Sequence, residues 1–439
     1  MNKLQTIFCF LVFALIISFQ SISFCDITLI EGSSPKTILC KEESPYVYMS
    51  IIIKSGIVSE AGYNSGMTTF ISKLILNQTR LRNPQELQEV FFSTGCHLSM
   101  VVRLDYLEIK VITHKKTFSK ALDIIGECLS EPRITKENIQ KAKNETIDNM
   151  TMDYDTSFQR LYDTLRQYMY TGNPYKRSIN GTVQSIKNID NNSIAQYYKE
   201  NFSPNNMVIA VVGDLDDQEI KDVVKSSFSG AYRSKRRSIY DYNEKLDKNK
   251  TCNLVNYDPN DELTYYMQGY FMPGVKDEDY YSCVLLSALL GSGKSSYVFR
   301  DIRQKYGIGY FIGFKYEKLR RQSHGYFFLS TVDSDNVRID IAKKTFGDIV
   351  QNIKSIGVSD EDLNRTKDFV KEQNNIENLN LIKKAHKIAW NEAVCGDYTL
   401  FEKFPEKIQN ITNKDIIRVA NKYFTDYCEV ILRPKDEEE

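Results

Sequence analysis

Gly66-Met67-Thr68-Thr69-Phe70-Ile71-Ser72-Lys73-Leu74-Ile75-Leu76 is the stretch from which the fold is read. Met67, Phe70, Ile71, Leu74 and Ile75 fall at i, i+3, i+4, i+7 and i+8. That is the spacing of one apolar helix face, so a helix is predicted to open near Gly66 and turn this face to a core. Thr69, Ser72 and Lys73 project from the opposite face, at the mutual spacing i, i+3, i+4. Upstream, Tyr46 to Lys54 reads as a strand, and Ser55-Gly56 follows it.

The spacing of the three polar residues is the one by which a helix presents H-x-x-E-H. In that motif two imidazoles one turn apart bind zinc, and the glutamate activates water. The order of strand, Gly-Ser, a few residues, Gly and helix resembles the zinc-helix region of the pitrilysin/insulinase/mitochondrial-processing-peptidase superfamily. The resemblance puts the family's His, Glu and His on Thr69, Ser72 and Lys73. None of the three suits the task, because Thr and Ser are poor zinc ligands and a Lys ammonium repels a dication.

The likeness runs over nearly the whole chain beyond the leader. Gly95-Cys96-His97-Leu98 resembles the family's Gly-x-x-Leu. Gly172-Asn173-Pro174-Tyr175 with Gly181-Thr182 resembles its central segment. Asn201-Phe202-Ser203-Pro204-Asn205-Asn206-Met207, running into Val211-Val212-Gly213-Asp214, resembles the strand closing its first domain. By the resemblance, a third ligand, a Glu on a later helix, falls by ungapped count on Asn149, with Glu145 one turn earlier and read as a solvent-facing residue. Phe299 to Tyr310 resembles Leu-Arg-Glu-Lys-x-Gly-Leu-Ala-Tyr, whose Arg and Tyr match Arg303 and Tyr310. In zinc-bearing relatives this pair orients the substrate backbone and supports the tetrahedral oxyanion.

Two other signals point elsewhere and are weak. Ala288-Leu289-Leu290-Gly291-Ser292-Gly293-Lys294-Ser295 fits a relaxed phosphate-loop pattern. Such a loop must follow a buried strand and open a helix, whereas Tyr280 to Leu290 has helical apolar spacing, so a structural turn is expected. Histidine is scarce: His97, His114, His324 and His386 are the only four, none with a ligand partner at obvious spacing.

The chain has 439 residues, 42% hydrophobic and 26% charged, with zero formal net charge. No global field therefore favours nucleic acid or an anionic membrane. Met1-Asn2-Lys3 followed by the apolar run Ile7 to Phe19 and small residues at Ser21-Ile22-Ser23 reads as a secretory signal peptide. The run is too short for a membrane span, which needs roughly 18 or more apolar residues, so no span is expected after cleavage. Nine cysteines are scattered without a C-x-x-C pair, which argues against a zinc ribbon or a thioredoxin-type motif.

The run of elements repeats. Ser99 to Arg103 and Tyr106 to Thr113 read as strands, Phe118 to Leu129 as a helix, and Thr135 as the cap of a helix reaching about Met152. Gly325 to Val332 then reads as a strand, Val337 to Ile353 as a helix stopped at Gly357, and Ser359 with Asp362 as the cap of the next. The expected fold is α+β: two homologous halves, each a mostly antiparallel sheet covered by long helices, joined by a linker into a clamshell. The divisions are a signal peptide at 1–23, an N-terminal peptidase-like domain at 24–230, a charged linker at 231–250, and a C-terminal domain at 251–439 carrying Arg303 and Tyr310.

In function, the resemblance implies a zinc-less subunit of an exported insulinase-like metallopeptidase. It would bind no metal itself, pair as a heterodimer with a zinc-bearing homologue, and form half of a chamber for unfolded peptides. The bacterial periplasm is the favoured compartment, with the secretory pathway or secretion as the other routes. The alternative is a stand-alone peptide-binding or structural assembly protein on the same fold, with no proteolytic role.

Overall fold

A computed structural model describes residues 26–152, 157–232, 251–255, 262–332 and 337–434. The leader at 1–23 and, save for Ala231 and Tyr232, the joint at 231–250 lie outside the described residues.

The first half builds a six-stranded sheet from β1 (Ile27–Ile30), β2 (Lys36–Lys41), β3 (Tyr46–Ile53), β4 (His97–Val102), β5 (Leu107–His114) and β6 (Met207–Gly213), in the order β1-β2-β6-β3-β5-β4. Its helices are α1 (Met67–Ser72), α2 (Pro84–Thr94), α3 (Phe118–Ser130), α4 (Lys136–Met152), α5 (Ser157–Met169), α6 (Val183–Asn188), α7 (Asn191–Asn201) and α8 (Asp217–Ser227). The second half builds a five-stranded sheet from β7 (Thr251–Val255), β8 (Thr264–Met272), β9 (Phe311–Tyr316), β10 (Ser323–Thr331) and β11 (Tyr427–Arg433), in the order β7-β11-β8-β10-β9. Its helices are α9 (Tyr280–Gly291), α10 (Val337–Ile356), α11 (Asp360–Asn378), α12 (Leu381–Trp390), α13 (Leu400–Gln409) and α14 (Asn413–Tyr423).

The repeat is visible in the pairing. β2 runs parallel to β6, and β6, β3, β5 and β4 then pair antiparallel in turn. β7 likewise runs parallel to β11, and β11, β8, β10 and β9 pair antiparallel in turn. The same strand order with the same directions in both sheets is the mark of a duplicated unit, to which the first half adds β1 at one edge. The central strands are apolar on both faces: Met207 to Gly213 is buried throughout, and so is Ser50 to Ile53. Helices must therefore cover both sides of each sheet.

One cover of each sheet comes from the other half. Leu165 and Met169 of α5 pack on β8 and β11 of the second sheet. They lie over Gly269, where a Cβ atom would fall 2.6 Å from the Met169 sulfur. Reciprocally, Ala385, Ile388 and Ala389 of α12 share a core with Ile38, Ile52, Val208 and Ala210 of the first sheet. Ion pairs fasten this second contact: Lys36 Nζ lies 2.7 Å from Glu392, and Lys384 meets Glu42. His386 Nδ1 lies 2.8 Å from buried Glu108, which also accepts from the Ser50 hydroxyl at 2.7 Å. Burial pushes the Glu108 carboxyl up, but His386, Ser50 and Lys110 together hold it below the usual carboxylate range. The two halves are thus interlocked by exchanged helices.

Candidate functional site

The site is built where the chain leaves β3. Gly56 passes so close to the backbone of Arg103 and Leu104 that a Cβ atom would lie 2.5 Å from either carbonyl oxygen. Gly66 takes φ 88 at the N-cap of α1 and presses against Asn180, so both conformation and space require glycine there. Between them Glu60 folds under the helix. Its carboxylate accepts the Gly66 and Thr68 backbone N–H groups, each at 2.8 Å, which satisfies two donors of the helix start. Burial pushes this carboxyl up to about 7, against the opposing pull of those bonds and of Arg177. The Tyr197 hydroxyl bridges Ser55 and Thr68, at 2.7 Å from each. Met67, Phe70, Ile71, Leu74 and Ile75 all enter the core, as their spacing predicts.

The outward face is occupied by short hydrogen-bonded side chains. Thr69 donates its hydroxyl to the Ile179 carbonyl at 2.8 Å, and Ser72 donates to the Thr69 carbonyl at 2.8 Å. Lys73 Nζ reaches α4 and donates to Thr146 Oγ1 at 3.0 Å. The counted third position, Asn149, is exposed, and Glu145 turns its side chain to solvent 4.0 Å from Lys141. The residue that α4 brings to Lys73 is Thr146 rather than Asn149. An ungapped count carries every loop-length difference into the helix register, and three residues is nearly one turn.

These residues do not fit zinc: two hydroxyls, an ammonium and a third hydroxyl offer no imidazole, thiolate or carboxylate. Among the described residues no three His, Cys, Asp or Glu side chains converge as a metal site would require. His324 is fully buried, with Nδ1 2.8 Å from the Tyr170 hydroxyl and Nε2 3.1 Å from that of Tyr162. Burial lowers its pKa to about 3, so it is a neutral tie between α5 and β10. His386 joins the halves, His114 Nδ1 accepts the Lys116 N–H, and His97 is exposed on β4.

Arg303 and Tyr310 come together. Arg303 lies in a π-helical segment, Phe299–Gln304, and donates to the Gly309 carbonyl. Its guanidinium carbon stands 5.6 Å from the centroid of the Tyr310 ring. The turn between them needs two left-handed residues, supplied by Gly307 and Gly309 at φ 68 and 81. Tyr310 is 84% exposed although its N–H is fixed to the Ser330 carbonyl at 2.9 Å. Its backbone is thus fixed while its phenol ring faces solvent.

The phosphate-loop pattern is a structural turn. Helix α9, not a strand, precedes it, and a Cβ atom on Gly291 would fall 2.1 Å from the Phe314 nitrogen. That glycine exists so that α9 can end against β9. Sequence reasoning did not single out Glu60, whose only signal is an acidic residue shortly ahead of a helix start. Thr146 carried no signal at all.

The family model "Insulinase (Peptidase family M16)" matches residues 37–183, and "Peptidase M16 inactive domain" matches residues 188–370. An uncharacterized zinc protease of Bacillus subtilis is 21% identical over 396 residues, spanning 88% of this chain and 93% of its own. The zinc protease PqqE of Helicobacter pylori is 20% identical and covers 93% of this chain and 92% of its own. Among solved structures, a protease from Helicobacter pylori superposes with TM-score 0.84 at 18% identity, over 93% of this chain and 99% of that one. A peptidase M16 inactive domain from Pseudomonas fluorescens gives 0.82 at 15% identity, over 94% and 99%. With both of its domain types matched in order and its fold shared from end to end, the chain belongs to the insulinase family of peptidases, M16, as a member whose zinc helix is degenerate.

Proposed function

We propose that this chain is the zinc-less subunit of an exported heterodimeric peptidase and supplies one wall of its peptide chamber. The observation that carries the reading is the contrast between the two sites. At the metal positions Thr69 and Ser72 give their hydroxyls to backbone carbonyls and Lys73 is an ammonium bonded to Thr146, none of them a zinc ligand, while the Arg303–Tyr310 pair is assembled and Tyr310 is held out to solvent. A chain that had lost all contact with substrate would have no use for a phenol fixed at the start of a strand with its hydroxyl unpartnered among the described residues. Arg303 supplies N–H donors for a peptide carbonyl and so keeps an extended substrate in register. The Tyr310 hydroxyl donates to the carbonyl oxygen as that oxygen gains charge. Zinc is expected in the partner, a homologue bearing H-x-x-E-H. Export is supported by the leader sequence and by the engagement of Cys40 in a disulfide, a bond that persists in oxidising compartments.

The test is copurification from the native host followed by reconstitution. The expected result is a complex with an H-x-x-E-H homologue in which an unfolded peptide is cleaved only when both chains are present. Full activity of that homologue alone, unchanged on adding this chain, would remove the reading.

A further inference from the structure

The residue that stands where a zinc ligand would be is not merely inert. Lys73 has three N–H donors, and one of them is spent on Thr146 Oγ1 at 3.0 Å. Among the described residues Lys73 forms no ion pair, and the Glu145 carboxylate of α4 is exposed beside Lys141. Thr146 is 4% exposed, and its oxygen accepts from Lys73, so its own hydrogen is left to donate onward. The neighbouring hydroxyls are not available, since Thr69 and Ser72 give theirs to backbone carbonyls. What remains on this face is an exposed ammonium and, 3.0 Å from it, the hydroxyl of a buried threonine, both donors, with positive charge and, among the described residues, no ion-pair partner.

We propose that Lys73 and Thr146 form a carboxylate-binding site, which holds an acidic group of the peptide in the chamber. Two donors at this spacing match the two oxygens of one carboxylate, and a charge-assisted bond is stronger than a neutral one. The site rests on the chamber reading above and narrows it, because it selects peptides that bring a free C-terminus or an acidic side chain to α1. The loss of the metal thus converts a hydrolytic position into a recognition position.

The experiment uses the full mature chain and one fluorescently labelled unfolded peptide in three forms: free C-terminal acid, C-terminal amide, and amide with one internal Glu. Binding is read by anisotropy at low and high salt. The acid is expected to bind about tenfold more tightly than the plain amide, with the advantage reduced by salt. Lys73→Met should abolish the difference, and Thr146→Val should reduce it, while thermal melts confirm that both variants fold. Recovery of affinity by the internal Glu would assign the carboxylate to a side chain, and no recovery would assign it to the terminus. Equal affinity for all three forms, or a preference that survives in Lys73→Met, overturns this site and leaves the chamber standing. Failure of every form to bind this chain overturns the site, and failure of every form to bind the reconstituted pair as well overturns the chamber reading with it.

Discussion

The Arg303 guanidinium lies over the Tyr310 ring, 5.6 Å from its centroid, and the same guanidinium donates to the Gly309 carbonyl one residue before that tyrosine. One side chain therefore fixes both the ring and the turn that carries it. The pair behaves as a unit, and removing Arg303 is expected to loosen Tyr310 as well.

In a reconstituted pair, Tyr310→Phe is expected to slow peptide turnover by about 10²–10³-fold, leaving assembly and metal content unchanged. Arg303→Ala should lower turnover and weaken substrate binding together, since it loses positioning as well as the support of the ring. Steady-state kinetics on an unfolded peptide separates the two. Unchanged kinetics in both variants would mean that this wall only encloses the substrate.

Metal binding can be restored only through the register that the fold sets. The variant Thr69→His, Ser72→Glu, Lys73→His, Thr146→Glu is expected to bind one zinc ion. The same triple change with Asn149→Glu in place of Thr146→Glu is not, because the residue of α4 that meets Lys73 is Thr146, three positions before the exposed Asn149. Metal analysis after dialysis distinguishes them, and tighter zinc in the Asn149 version would show the assigned register to be wrong.

Glu60 makes stability depend on pH in an unusual direction. Its carboxyl titrates at about 7 in the fold against 4.5 for the ordinary group, so the folded state holds the proton more tightly. The resulting stabilisation is complete below the unfolded value and is lost as pH rises through about 7. It amounts to up to about 3 kcal/mol between roughly pH 8 and pH 5. Glu60→Gln cannot titrate, so the difference in stability between wild type and variant should change across that window and stay level above it. A constant difference from acid to base would refute the assignment.

Gly291→Ala tests the turn. The added methyl would sit 2.1 Å from the Phe314 nitrogen, with strand backbone as the obstacle. Overpacking of this kind costs about 1–3 kcal/mol, which chemical denaturation would detect. Lys294→Ala, at an exposed position, should leave stability unchanged, and neither protein should retain nucleoside triphosphate in equilibrium dialysis.

Much of the local structure was legible without coordinates. The apolar spacing of Met67 to Ile75 placed the start and buried face of α1, although the helix ends at Ser72 and Lys73 to Asn77 continue as turns, and the β-rich runs placed β3, β4, β5 and β10 within a few residues. Ser359 caps α11 by accepting the Asp362 N–H at 3.1 Å, as its spacing implied. These features follow from period and cap chemistry, which act over a few residues and are written directly in the chain.

By itself, then, the sequence determined the helix and strand periods, the duplicated grammar and the replacement of zinc ligands by Thr69, Ser72 and Lys73, because residue type and short-range spacing suffice for each. The tertiary structure alone decided which residue of α4 meets Lys73, since helix register depends on every loop that precedes it. It alone decided that Glu60 is buried beneath α1, that His324 is a neutral tie rather than a ligand, and that α5 and α12 each cover the sheet of the opposite half. Burial and long-range packing set these outcomes: a carboxylate at position 60 or an Ala-rich face at 385–389 carries no mark of its partner until the chain closes around it.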